Sequence, residues 1–163
     1  MTQFTQKYAL IQLFEDVPVG TQFSSNNWPL HSTIVDTFAI DWSVPTMIKE
    51  LTKLLSTHKQ ATSKAADDKL FGDNGQIRVV LLERTDDLVR LHNDVIELLQ
   101  KGGLTLSDPQ FAHNGFLPHS TVQPHTRLNA GDKVDFDALS IIDMFPDQDP
   151  YQRKVLATIK ISD

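Results

Sequence analysis

Two hydrophobic periods alternate along the chain. Tyr8–Phe14 is a short apolar run with β-formers and predicts a strand. Gly20–Pro29 is rich in Ser, Asn and Pro and reads as a loop. His31–Ile40 then carries Ile, Val, Thr and Phe and predicts a second strand. The period changes at Val44, Met47, Ile48, Leu51, Leu54 and Leu55, which follow i, i+3, i+4 spacing. Ser43 is the candidate N-cap of that helix and Pro45 lies in its first turn, with the end expected near His58.

Gln60–Phe71 is rich in Ala and Lys, which favour helix, but Gly72-Asp73-Asn74-Gly75 follows it. Asn-Gly accepts the positive φ values of a type I′ turn and signals a hairpin. Part of Ala61–Phe71 is therefore read as a strand, with Gln76–Leu82 as its return. Leu88, Leu91, His92, Val95, Leu98 and Leu99 form one face of a second helix. Thr85 is its cap, Asp86 and Asp87 suit the positive end of its dipole, and Gly102-Gly103 stops it. A loop runs to Pro118. Three strand-like runs follow, His119–Val122, Val134–Met144 and Lys154–Ile161, with a turn at Pro146–Pro150 before the last. The order β-β-α-β-β-α-β-β-β predicts an α+β fold, because a doubly wound sheet needs a crossover helix between nearly every strand pair.

Composition narrows the function. The chain has 163 residues, 40% hydrophobic and 22% charged. This suits a single domain, residues 1–163, with a packed core. No apolar run approaches the ~18 residues of a membrane span. Met1–Leu10 lacks the pattern of a signal peptide, and the absence of cysteine fits a reducing cytoplasm. A net charge of −6 argues against binding long duplex nucleic acid, which is held by phosphate neutralisation. A nucleotide or short RNA remains open as a partner, and a monomer is expected.

One short repeat stands out. Pro29-Leu30-His31-Ser32-Thr33-Ile34 is echoed by Leu117-Pro118-His119-Ser120-Thr121-Val122. Each copy opens a predicted strand, in a chain with six histidines. Alternation along a strand puts His31 and Thr33 on one face and Ser32 on the other, and the same holds for His119, Thr121 and Ser120. If the strands are neighbours, two imidazoles and two hydroxyls face one cavity. That set suits in-line displacement at phosphorus. One neutral imidazole takes a proton from the attacking oxygen and the other, protonated, gives one to the leaving oxygen. The two threonines donate hydrogen bonds to the non-bridging oxygens. No metal or other cofactor is required.

The duplicated motif resembles that of the 2H phosphoesterase superfamily. Pro118-His119-Ser120-Thr121, with Phe116 ahead of it, is particularly similar to the LigT-like branch, the 2′-5′ RNA ligase family. The resemblance implies a bilobal, pseudo-duplicated fold with antiparallel sheets around a central groove and two main helices. It implies a metal-independent phosphoesterase acting on 2′,3′-cyclic phosphates or 2′-5′ bonds of RNA or nucleotides. His31 and His119 take the catalytic places, and Thr33 and Thr121 the phosphate-binding ones. Serine stands at the middle motif position, which is usually hydrophobic in the family. Pro124 stands where many ligase-like members carry a basic residue, leaving His125 or Arg127 to supply that charge.

The remaining residues have simpler readings. His92 and His58 are read as boundary or capping residues. His113, His119 and His125 are spaced by six, but zinc favours cysteines or close histidine pairs, so no metal site is expected. Asp143, Asp147 and Asp149 decorate a turn. Phe116 is a candidate base-stacking platform or a core residue, and Trp28 and Trp42 are open in the same way. The rival functions are a non-catalytic nucleotide- or RNA-end-binding module on the same scaffold and a metallohydrolase.

Overall fold

The protein is described by a computed structural model covering residues 6–162. The first five positions of the Met1–Leu10 stretch, and Asp163, lie outside the described residues. The elements are β1 (Tyr8–Leu13), β2 (Gln22–Ser24), β3 (His31–Ala39), α1 (Val44–Leu55), β4 (Ala61–Phe71), β5 (Ile77–Leu82), α2 (Asp86–Gln100), β6 (Thr105–Leu106), β7 (His119–Thr121), β8 (Lys133–Phe136), β9 (Ala138–Asp143) and β10 (Gln152–Lys160). They build two antiparallel sheets, ordered β2-β10-β9-β1-β3-β6 and β7-β5-β4-β8. This is the α+β architecture the element order predicts.

The helices start and stop where their signals stand. Ser43 Oγ accepts from the Thr46 N–H at 3.3 Å, and Thr85 Oγ1 from that of Leu88 at 3.3 Å. Gly103 ends α2 in the left-handed region at φ 82°. Gly102 has a different task. A Cβ there would fall 2.2 Å from Trp42 Cδ2, so this glycine makes room for the indole, and Trp42 is a packing residue.

Four details depart from the sequence reading. Val134–Met144 is two strands, broken at Asp137: β8 pairs with β4, and β9 pairs with β1 and β10 in the other sheet. Buried Gln12 secures the crossing, its Oε1 accepting from the N–H of Asp137 at 2.8 Å and of Ala138 at 3.0 Å. Uniform β-forming composition carries no mark of a chain changing sheets. The Asn74-Gly75 turn is not type I′. Phe71 pairs with Ile77, the Gly75 N–H donates to Gly72 O, and positive φ falls on Gly72 and Gly75 but not on Asn74. The loop Gly20–Pro29 contains β2, which adds to the edge of β10, and the stretch before Pro118 contains β6 and two short 3₁₀ turns.

The main core is continuous between the helices and both sheets, around Phe38, Met47, Leu51, Val80, Leu91 and Phe136. A smaller cluster, Ala9, Ile11, Ile142 and Val155, lies on the far face of the larger sheet, covered by Phe23 and Trp28 among others. Burial on both faces is why β1 reads as a continuous apolar run. Among the described residues no helix is long and apolar enough to cross a membrane.

Candidate active site

The two motifs sit on open strand edges that face each other. At its start β3 pairs with β1, His31 opposite Leu13 and Thr33 opposite Ile11, whereas β6 reaches only Phe38 and Ala39. Among the described residues β7 has β5 as its one sheet neighbour. The uncovered edges meet, and Ser32 Oγ donates to His119 O at 2.8 Å. Ser32 and Ser120 are both buried, pointing away from the groove as alternation requires. The reciprocal bond is missing. Ser120 Oγ has no partner among the described residues.

The four motif side chains divide between two cavities in crossed pairs. Thr33 and His119 line one of about 410 Å³, together with Asp36, Phe71, Phe111 and Leu117. His31 and Thr121 line the other, of about 710 Å³, with Trp28, Asn26, Gln76 and Arg78. Each opening along this seam thus holds one histidine and one threonine, and the two imidazoles are close enough to feel each other's charge.

Both imidazoles are oriented alike. His31 Nδ1 lies 2.8 Å from Pro29 O, and His119 Nδ1 lies 2.8 Å from Leu117 O. A carbonyl only accepts, so each Nδ1 carries the hydrogen, and each Nε2 is the nitrogen left for chemistry. Trp28 stacks on His31 with centroids 4.6 Å apart and 28° between planes, while Phe71 meets His119 edge-on at 4.9 Å. Burial lowers the His31 pKa to about 4. The Pro29 carbonyl opposes that shift and the neighbouring His119 adds to it. His119 is also lowered by burial, against the pull of the Leu117 carbonyl and the Asp36 carboxylate.

The other histidines serve the scaffold. His92 is buried in α2, its Nδ1 2.6 Å from Ile34 O and its Nε2 accepting from the His113 N–H at 3.0 Å. Both ring nitrogens are satisfied in the neutral form, and burial again lowers the pKa to about 4. His58 pairs with Asp94 at 2.9 Å, and His113 with Asn93 at 3.1 Å. His125 binds Glu15, which also accepts from the Leu30 N–H. The histidines spaced by six are therefore engaged separately. Among the described residues no group of three or more His, Asp or Glu is placed to hold a metal ion.

His31 and His92 make folding sensitive to acid. Their folded pKa values lie below the ordinary 6.5, so the native state prefers them neutral. The stability this contributes is complete above pH 6.5 and is lost as pH falls toward 4. The urea midpoint is expected to decline from about pH 6.5 to about 4.5, above the range where most carboxylates titrate. A constant midpoint over that interval contradicts the assignment.

Phe116 lines the first cavity but is 6% exposed, its ring stacked on His92 at 3.9 Å and 7°. One of its faces is thus taken by a core histidine. Phe111, 52% exposed in the same cavity, is the accessible aromatic. Neither His125 nor Arg127 lines either cavity, and Asp68 holds both Arg127 and Arg78. The guanidinium at the seam belongs to Arg78. Sequence reasoning missed Arg78, Phe71 and Asp36, none of which sits in a motif.

No protein-family model matches the sequence, and no curated protein matches it in sequence. Solved structures do match in fold. A crystal structure of a phosphoesterase superposes with a TM-score of 0.54 at 14% identity, covering 98% of this chain and 100% of that one. E. coli LigT complexed with NADP+ gives 0.52 at 13% identity, covering 99% and 100%. The protein TT0787 of Thermus thermophilus gives 0.58 at 12% identity, covering 95% and 97%. E. coli LigT has also been crystallised with 3′-AMP. The chain has the LigT-like fold over nearly its whole length.

Proposed function

We propose that the chain is a metal-independent phosphoesterase of the 2H type, a single two-lobed unit acting on 2′,3′-cyclic phosphate or 2′-5′ phosphodiester bonds of nucleotides or short RNA. The observation that carries this reading is the crossed arrangement at the seam, one imidazole and one threonine hydroxyl at either end. A phosphate between them has a proton acceptor on one side and a proton donor on the other. Hydroxyls from Thr33 and Thr121 reach the non-bridging oxygens, where charge gathers in the transition state. Histidine suits both proton transfers because its ordinary pKa lies near operating pH. Two imidazoles and two hydroxyls supply the whole of this chemistry without a Lewis acid. Nucleotides in the LigT structures support a nucleotide as the ligand here.

The test is a panel of nucleoside 2′,3′-cyclic phosphates and 2′-5′-linked dinucleotides assayed in EDTA. Turnover of at least one substrate, undiminished by the chelator, is expected. Loss of activity in EDTA marks a metallohydrolase instead. Tight binding of a nucleoside 2′-phosphate with no turnover of any substrate marks a binding module.

A further inference from the structure

We propose that Asp36 keeps the transferable proton on His119, which makes His119 the acid that protonates the leaving oxygen and His31 the base that activates water. The inference rests on the reading of the seam as a phosphodiester site, and it adds a direction to that reading.

Asp36 reaches the seam through a break in strand alternation. Leu10 pairs with Val35 but Ile11 pairs with Thr33, so β3 carries an extra residue at this point. A bulge of this kind re-aims the side chains that follow it. Strict alternation from His31 and Thr33 would have turned Val35 toward the cavity. Instead Val35 is fully buried, and exposed Asp36 lines the cavity beside Thr33 and His119. The Thr37 N–H donates to Asp36 Oδ1 at 2.8 Å and holds the carboxylate.

The charges around the two rings differ accordingly. His31 shares its cavity with Arg78 of β5 and stacks on Trp28, whose ring also carries the Arg153 guanidinium of β10 at 5.7 Å. Arg78 is itself paired with Asp68 at 3.2 Å, so the protonated ring is opposed chiefly by burial and by His119 across the seam. His119 faces the Asp36 carboxylate from β3. On its β4 side Lys69 holds its ammonium 5.7 Å from the Phe71 ring, whose edge meets the imidazole. Arg84 is committed to the His113 and Phe116 carbonyls. An opposite charge favours the protonated ring, so of the two imidazoles His119 is the one that holds a proton more readily.

The step then balances. Water oxygen bonds to phosphorus as His31 Nε2 takes its proton. The bond from phosphorus to the departing ribose oxygen breaks, and that oxygen receives the proton from His119 Nε2. The enzyme is left with His31 protonated and His119 neutral, and exchange with solvent restores both. The nucleoside bearing the departing oxygen occupies the His119 cavity, where Phe71, Phe111 and Leu117 offer apolar surface and no cationic side chain is present among the described residues.

Two substrates separate the roles: a nucleoside 2′,3′-cyclic phosphate, whose alkoxide must be protonated, and a nucleoside 3′-(p-nitrophenyl phosphate), whose nitrophenolate leaves unaided. His119→Ala is expected to lose ~10²–10⁴-fold on the cyclic substrate, the usual worth of a general acid, and only a few-fold on the nitrophenyl ester. His31→Ala loses equally on both. Asp36→Asn is expected to slow the cyclic substrate by about tenfold and to leave the nitrophenyl ester unchanged. In the same variant the proton NMR titration midpoint of His119 moves to lower pH while that of His31 stays, and the alkaline limb of the kcat/KM profile shifts with His119. Rescue of His31→Ala by the nitrophenyl ester, or an equal loss on both substrates in Asp36→Asn, overturns the assignment. A wild-type protein that turns over neither substrate removes the phosphoesterase reading itself, which is a different result.

Discussion

Alanine at His31 or at His119 is expected to cut turnover of a nucleoside 2′,3′-cyclic phosphate by ~10²–10⁴-fold in a protein that remains folded. Each ring gives one Nδ1–H to a carbonyl only two residues upstream, Pro29 or Leu117, so its removal disturbs little beyond its own strand end. Both rings also sit at cavity walls rather than within the main core, which keeps their loss from collapsing the scaffold. Steady-state rates measured beside thermal melts check this. Full activity in either variant would remove the two-histidine mechanism. Thr33→Val and Thr121→Val preserve shape and delete one donor each, so their expected cost is smaller, ~10²–10³ in kcat as for other lost transition-state donors.

The largest effect on stability is expected at Gln12, far from any motif. Its Oε1 accepts two backbone N–H groups at the point where the chain leaves the smaller sheet for the larger, and its Nε2 donates to Leu13 O at 2.7 Å. Gln12→Leu keeps the volume and takes the acceptor from both part-buried N–H groups. Because both groups are only part-buried, the lower end of the about 1–3 kcal/mol per unsatisfied group applies, and the variant should lose about 2–3 kcal/mol. Gln12→Glu retains the acceptor and should lose less. Urea unfolding of the three proteins decides the matter, and a leucine variant as stable as the wild type shows that the crossing does not depend on the amide.

The parts of the fold that are legible in sequence are those with local causes. Ser43 and Thr85 mark helix starts because a hydroxyl satisfies an orphan N–H wherever such a start occurs. The glycines after Ala61–Phe71 mark that segment as a strand, even though the turn they make is a longer loop than Asn-Gly suggests. The break at Asp137 is not legible, since its cause, Gln12, stands 125 residues away. The site divides along the same line. Duplication singles out His31, Thr33, His119 and Thr121, and alternation places each pair on one face of its strand. Asp36 is hidden because a bulge suspends the alternation that any reading of β3 relies on. Phe71 and Arg78 come from the hairpin of the other sheet and reach the seam only through tertiary packing.

The meeting of β3 and β7 also bears on solubility. A bare strand edge invites pairing with a foreign strand, and natural sheets cover or interrupt such edges. Here two such edges shield one another, bridged by the Ser32 hydroxyl. Pro29 and Pro118, which cannot donate to a β-ladder, guard the approach to each. The opening that admits a ligand is therefore also a place where two strand edges are kept from pairing with a foreign chain.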